Sequence, residues 1–154
     1  MAPKKLPDGR LLVDASFVIA VAGRDPSANR FRSVLSRSSI VDVNLGEVFY
    51  KLDAVIPWRD VASALATEGV EVLATGPAGA ARFVELKATD LVSREKQRRS
   101  GVAESKIKSL SLADIACLST ALVRDSPVLT GDTHWQSLGL ALSIYDYHDP
   151  ELTL

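Results

Sequence analysis

From Ser111 to Val123 the chain reads SLADIACLSTALV, with a single charge, Asp114, in thirteen residues. A helix that is apolar all round packs on more than one side. Ser126-Pro127 then turns the chain into a short run, Val128–Thr130. A helix of about three turns, a tight turn and a short strand return the chain to the sheet edge it left. Other candidate strands are Leu11–Val13, Val70–Leu73 and Ala141–Tyr145. Ser38–Val43 reads as a strand or as the start of the next helix. Candidate helices are Phe17–Ala22, broken at Gly23, and Ala28–Ser36, opened by Asp25-Pro26-Ser27 with proline at the first position. Asn44 is expected to cap Leu45–Leu52. Pro57 opens Trp58–Thr67, which ends at Gly69, and Ala78–Leu91, Leu112–Val123 and Trp135–Leu138 complete the set. Ser93–Ser109 has no apolar period and reads as a loop or an exposed helix end. Strands alternating with helices predict an α/β fold of three layers, a mostly parallel sheet between helices.

A chain of 154 residues without repeats or linker-like stretches is one domain. The expected layout is an N-terminal tail over 1–10, the domain over 11–147 and a C-terminal tail over 148–154, with the acidic end Asp146–Leu154 partly frayed. No apolar run reaches the roughly 20 residues of a membrane span. The segment MAPKKLPDGR lacks the apolar core of a signal peptide. The single cysteine, Cys117, excludes an internal disulfide and reads as a small buried hydrophobe, in keeping with the cytoplasm. A net charge of −1 excludes a globally basic nucleic-acid binder. The charge is uneven: Arg94, Lys96, Arg98, Arg99, Lys106 and Lys108 stand against Glu95 and Glu104, a local balance of +4 that leaves −5 for the rest.

Four acids stand out by context. Asp14 ends the strand in LLVDAS, and the carboxyl ends of parallel strands are where open α/β sheets bind ligands. Asp114 has capping-box spacing from Ser111, a role compatible with holding a ligating oxygen in place. Asp132, in LTGDTHW, is either a Gly-Asp turn or an acid at the same sheet edge as Asp14. Glu47 lies off the apolar stripe of Leu45, Val48, Phe49 and Leu52, so it is either solvated or a fourth acid beside Gly46, which permits close approach. Clustered carboxylates repel one another unless a cation is present. All-oxygen ligation favours Mg²⁺ or Mn²⁺, which can activate water for in-line displacement at phosphorus. His134 and His148 have no ligand-like spacing for zinc. No Ser/His/Asp triad and no phosphate-cradling glycine loop offers other machinery.

With LLVDAS at 11–16, N-x-x-E within NLGEVFYKL at 44–52, LSLADIACLSTAL at 110–122 and PVLTGDTHW at 127–135, the chain resembles PIN-domain ribonucleases, and among them the VapC-type toxins of bacterial toxin–antitoxin pairs. The resemblance implies an acidic metal site of Asp14, Glu47, Asp114 and Asp132 supported by the hydroxyls of Ser16 and Thr130. It also implies Mg²⁺- or Mn²⁺-dependent endonucleolytic cleavage of RNA to a 3′-hydroxyl and a 5′-phosphate, a homodimer, and an antitoxin whose C-terminal segment blocks the site. The chain departs from the pattern at Ile115, where an arginine or similar residue often follows the third acid, and at Thr133 and His134, where a basic residue is common.

Phosphate affinity is expected from the basic residues between Arg94 and Lys108, which otherwise form a solvated charged loop. Trp135 and Trp58 are the stacking candidates, Trp135 reading also as packing for its short helix. Leu45–Leu52 with Pro57–Leu65 forms an antitoxin groove or simply core. Three other readings remain open at this point: a phosphorylated receiver-like module, a PIN nuclease of RNA maturation, and a catalytically silent PIN fold that binds a partner. A receiver would need a second acid beside Asp14 and a lysine after the last strand, whereas Ala15 follows Asp14 and no lysine follows Lys108.

Overall fold

The computed structural model describes residues 4–154. Its centre is a five-stranded sheet in the order β3-β2-β1-β4-β5, formed by β1 (Leu11–Val13), β2 (Ser38–Val41), β3 (Glu71–Leu73), β4 (Val128–Thr130) and β5 (Ile144–Asp146). Every neighbouring pair is parallel. The chain begins at the central strand, builds outward through β2 and β3, then returns to add β4 and β5 on the other side. The gap between β1 and β4 is therefore the point where strand order reverses, the crevice in which such sheets bind ligands.

The period-two alternation of strands sorts side chains between two cores. Leu11, Val13, Ile40 and Leu129 face one core, shared with α1 (Ala15–Ala22), α3 (Asp42–Leu52) and α4 (Trp58–Glu68) through Phe17, Val18, Val48, Val61 and Leu65. Leu12, Val41, Leu73 and Val128 face the other. There they meet α6 (Phe83–Arg99) through Leu86, and α7 (Leu112–Arg124) through Ile115, Ala116, Cys117, Leu118 and Ala121. Helix α7 is the all-apolar stretch, and its inner residues from Ile115 to Ala121 are all buried. Cys117 is wholly enclosed, as expected of a small hydrophobe.

Several boundaries differ from the sequence expectation. Helix α3 starts two residues before Asn44, with Val41 in extended conformation at its N-cap and Asp42 in its first turn. Asn44 is thus no cap. It is buried inside the helix, and its Nδ2 donates to the Ala113 carbonyl at 3.2 Å, tying α3 to the start of α7. The stretch expected as Ala28–Ser36 divides into α2 (Pro26–Asn29) and a 3₁₀ helix, Arg32–Arg37. Ala78–Leu91 is broken at Arg82, between α5 (Gly76–Ala81) and α6.

Helix α6 then runs through Ser93–Arg99, which had read as a loop or an exposed helix end. Ion pairs within one face replace the missing apolar period: Arg99 reaches Glu95 at 2.9 Å and Arg98 reaches it at 3.8 Å. The segment after α6 is fastened back onto it. Asp90 accepts the Leu110 N–H at 2.9 Å, and Gln97 both donates to the Lys108 carbonyl and accepts its N–H.

The expected fraying of the C-terminal tail is not found. Leu152 is buried in the first core beside Leu6, and Lys5 pairs with Thr153 in a parallel bridge. The Arg30 guanidinium, reaching from the C-cap of α2, donates to the carbonyls of Tyr147, Asp149 and Leu152. Met1–Pro3 of the N-terminal tail lie outside the described residues.

Candidate metal centre

Asp14 follows β1 directly and is also the N-cap of α1, its Oδ1 accepting the Phe17 N–H at 3.2 Å. The register that sets Leu12 beside Val128 and Val13 beside Leu129 continues one step further. It brings the end of β4 to Asp14, where Thr130 Oγ1 donates to Asp14 Oδ2 at 2.8 Å. Ser16 Oγ lies 2.8 Å from both carboxylate oxygens. Asp14 is only 5% exposed, and among the described residues no Lys, Arg or His pairs with it. Burial is the main reason its carboxyl is pushed up to about 6. Hydrogen bonds from Ser16, Thr130 and Phe17 oppose that shift, and the charge of Asp114 adds to it.

The loop after β4 hangs from the same two hydroxyls. The Gly131 N–H donates to Ser16 Oγ and the Asp132 N–H to Thr130 Oγ1, both at 3.0 Å. Asp132 caps the following 3₁₀ helix, Thr133–Leu138, by accepting the His134 N–H at 2.9 Å. Asp132 is thus both a turn residue and a neighbour of the Asp14 cluster, joined to it through one threonine.

Asp114 forms a complete capping box. Its N–H donates to Ser111 Oγ at 3.1 Å and its Oδ2 accepts the Ser111 N–H at 2.7 Å. Burial is again the main cause that raises its pKa, hydrogen bonds with Ser111 lower it, and the charges of Asp132 and Glu47 raise it further. Glu47 is half-buried on α3 and pairs with Lys51 at 2.6 Å. Asp114 is the electrostatic link of the group: the charges of Asp132 and Glu47 act on it, and its own charge acts on Asp14. Among the described residues, no three His, Cys, Asp or Glu side chains stand close enough to share one ion. The donor set still suits a hard divalent cation: oxygen only, mutually repelling, and among the described residues Glu47 alone of the four pairs with a cationic side chain.

The family model of the PIN domain matches residues 11–139. The chain belongs to the PIN-domain family. Solved structures agree on the fold. VapBC from Salmonella typhimurium bound to DNA is similar at 16% identity and a TM-score of 0.60, over 90% of this chain and 98% of that one. VapBC2 from Rickettsia felis, bound to a DNA fragment from its promoter, gives 13% and 0.59 over 88% and 96%. VapC20 from Mycobacterium tuberculosis, a toxin that cleaves the sarcin–ricin loop, gives 18% and 0.51 over 84% and 95%. No curated protein sequence matches the chain. Membership in the PIN family removes the receiver-like reading.

Other expected residues of this PIN domain fall differently. Trp135 is wholly buried in the second core and unavailable for base stacking, whereas Trp58 is 47% exposed. Ile115, where the family pattern often has a basic residue, is core. Arg98 and Arg99 are engaged, Arg98 with Glu104 at 3.0 Å and Arg99 with Glu95. Exposed pairs of this kind are worth little and exchange readily for a phosphate. Lys96 borders a cavity of about 620 Å³ between α6 and the 3₁₀ helix after β4. Tyr147 was missed altogether. It lies beyond the matched residues, yet its N–H donates to the Thr130 carbonyl at 3.1 Å. Its ring fills the space beside Gly131, where a Cβ would stand 2.6 Å from Tyr147 Cζ. The available sequence signal was the glycine before Asp132, which a turn alone also explains.

Proposed function

We propose that this PIN domain is a divalent-metal-dependent endoribonuclease acting as the toxin of a toxin–antitoxin pair. The observation that carries the reading is the state of Asp14. It is a buried carboxylate at the carboxyl end of the central strand, oriented by two hydroxyls and one N–H, feeling the charge of Asp114 and, among the described residues, paired with no cationic side chain. A carboxylate placed so is costly unless a cation neutralises it.

Asp14, Glu47, Asp114 and Asp132 are the residues that would hold Mg²⁺ or Mn²⁺. Such an ion supplies an activated water and charge stabilisation for in-line displacement at phosphorus, leaving a 3′-hydroxyl and a 5′-phosphate. The chain's own part is orientation. Ser16 and Thr130 fix the plane of the Asp14 carboxylate, and their acceptor lone pairs fix Gly131 and Asp132. The capping box holds one oxygen of Asp114 and leaves Oδ1 with no hydrogen bond among the described residues. Arg94, Lys96, Lys106 and Lys108 contact RNA phosphates, joined by Arg98 and Arg99 as their ion pairs exchange.

A groove of about 280 Å³, with an apolar floor of Val18, Val21, Leu52, Ile56, Val61 and Leu65, suits an apolar antitoxin segment. Val61 and Leu65 also belong to the first core, so the groove floor is continuous with it. The active form is a homodimer in the cytoplasm, and among the described residues no helix is long and apolar enough to cross a membrane.

The test is cleavage of RNA by purified protein with Mg²⁺ or Mn²⁺, beside an EDTA control and Asp14→Asn. Metal-dependent cleavage lost in Asp14→Asn supports the reading. Equal activity in EDTA, or in the variant, contradicts it. A protein that binds the antitoxin but cleaves nothing under any of these conditions is the silent PIN fold.

A further inference from the structure

Asn44 is the residue of α3 that local physics explains least. It stands in the first turn of the helix and is 1% exposed, a place where a packed helix takes an apolar side chain. Asparagine is also a poor helix former. Its amide is half satisfied. Nδ2 donates to the Ala113 carbonyl at 3.2 Å, and that bond fixes which way the amide faces, because the reverse orientation would set oxygen against oxygen. Oδ1 is then buried, and among the described residues nothing donates to it. Buried acceptors left so are costly, and the great majority in folded proteins have a partner.

Both neighbours of this amide belong to the acid centre. Glu47 follows Asn44 by three residues on α3, the spacing of side chains that meet on one side of a helix. Asp114 follows directly on the carbonyl that Nδ2 holds, in the first turn of α7. Asn44 therefore bridges the two helices that carry these acids, and its free oxygen adds no charge to them.

We propose that Asn44 is a further residue of the metal centre, its Oδ1 a neutral oxygen donor to the cation that Glu47 and Asp114 hold. The proposal rests on the metal-site reading above. Amide carbonyl oxygens are ordinary ligands of hard cations, and such ions take six or more oxygens. Among the described residues no three of the carboxylates stand close enough to share one ion, so an oxygen from another side chain has a place in the donor set. A neutral oxygen fills it without adding to the repulsion among the acids. The amide is then fully used: Nδ2 joins α3 to α7, and Oδ1 joins both to the ion.

The test compares wild type, Asn44→Leu and Asn44→Asp by calorimetric titration with Mn²⁺ and by thermal unfolding in EDTA. Leucine fills the same space with neither donor nor acceptor. Aspartate keeps the oxygen, loses the donor to Ala113 and adds a charge to the acids. Asn44→Leu is expected to weaken Mn²⁺ binding about 10-fold, the usual scale for a lost partner of a metal site. Asn44→Asp is expected to lower the ion-free Tm and yet to bind Mn²⁺ at least as tightly as wild type. An asparagine that only ties α3 to α7 gives the opposite pattern, with affinity lost in Asn44→Asp along with the tie. Mn²⁺ binding unchanged in Asn44→Leu, or weakened in Asn44→Asp, therefore overturns the proposal. Should Asn44→Leu not fold, the Asn44→Asp titration decides alone. A wild-type protein that takes up no Mn²⁺ overturns the metal-site reading and this proposal with it, whereas either failure beside a binding wild type strikes the role of Asn44 alone.

Discussion

At the scale of single residues, Asp14 dominates. Its folded pKa of about 6 stands above the ordinary 3.8, chiefly because burial disfavours the charge. The folded protein therefore keeps this proton to higher pH than the unfolded chain does. Stability falls as pH rises from about 4 to about 6, and at pH 7 the ion-free protein carries a penalty of about 3 kcal/mol. Asp14→Asn is expected to raise the ion-free Tm at pH 7 and to change it little at pH 4. Thermal unfolding of both proteins across that range is the check, and parallel curves would contradict the assignment. The same linkage makes divalent-ion affinity rise with pH through this window. Asp14, Asp114 and Asp132 stood out in the sequence because each sits at a recognisable junction of strand, turn or helix start, whereas Glu47, inside α3, joined them through the family resemblance. The burial of Asp14 and the hydroxyl chain behind it were not legible there, since they depend on the register of β1 against β4. Gly131→Ala puts a Cβ into the Tyr147 ring and is expected to destabilise the protein by about 1–3 kcal/mol, read by denaturant unfolding.

At the scale of elements, two fastenings hold the site in place. The first is the start of α7, where Ser111 and Asp114 cap each other and Asn44 reaches across from α3. Ser111→Ala is expected to cost about 1 kcal/mol in urea unfolding, the worth of an N-cap. The capping box could be read from its spacing alone. The role of Asn44 could not, because α3 begins earlier than its best capping residue. Asp42 and the extended Val41 serve that end, which frees Asn44 to be buried. The second fastening is the C-terminal segment. Arg30→Ala removes its bonds to three carbonyls and is expected to cost about 1–3 kcal/mol. Nothing in the polar composition of 148–154 marks it as anchored; the anchor is one arginine more than a hundred residues away in the chain. Helix α6 was obscured for a related reason. Its outer half carries ion pairs where an apolar stripe would have signalled a helix.

At the scale of the whole molecule, sheet order converts local features into one centre. Because β1 is central and β4 returns beside it, Asp14, Thr130 and Asp132 meet where the order reverses, and α7 delivers Asp114 to the same end. The alternation of strands and helices announced this architecture in the sequence: β1 and β4 lie where expected and β3 within one residue, whereas Ser38–Val43 had stayed open between strand and helix start, and β5 is Ile144–Asp146 rather than Ala141–Tyr145. The groove floored by Leu52, Ile56 and Val61 lies on the α1/α3/α4 side of the sheet. Ile56→Glu is therefore expected to leave RNA cleavage intact while the antitoxin no longer relieves growth inhibition, measured by co-expression. Cleavage of RNA by the Asp14 centre with a divalent cation leaves its mark on cellular RNA ends. Its most direct test is mapping of 5′-phosphate RNA ends in cells after brief expression of the wild type beside Asp14→Asn. A discrete set of new 5′-phosphate ends is expected with the wild type and none with the variant; the same ends in both, or in neither, would rule out cleavage by this centre.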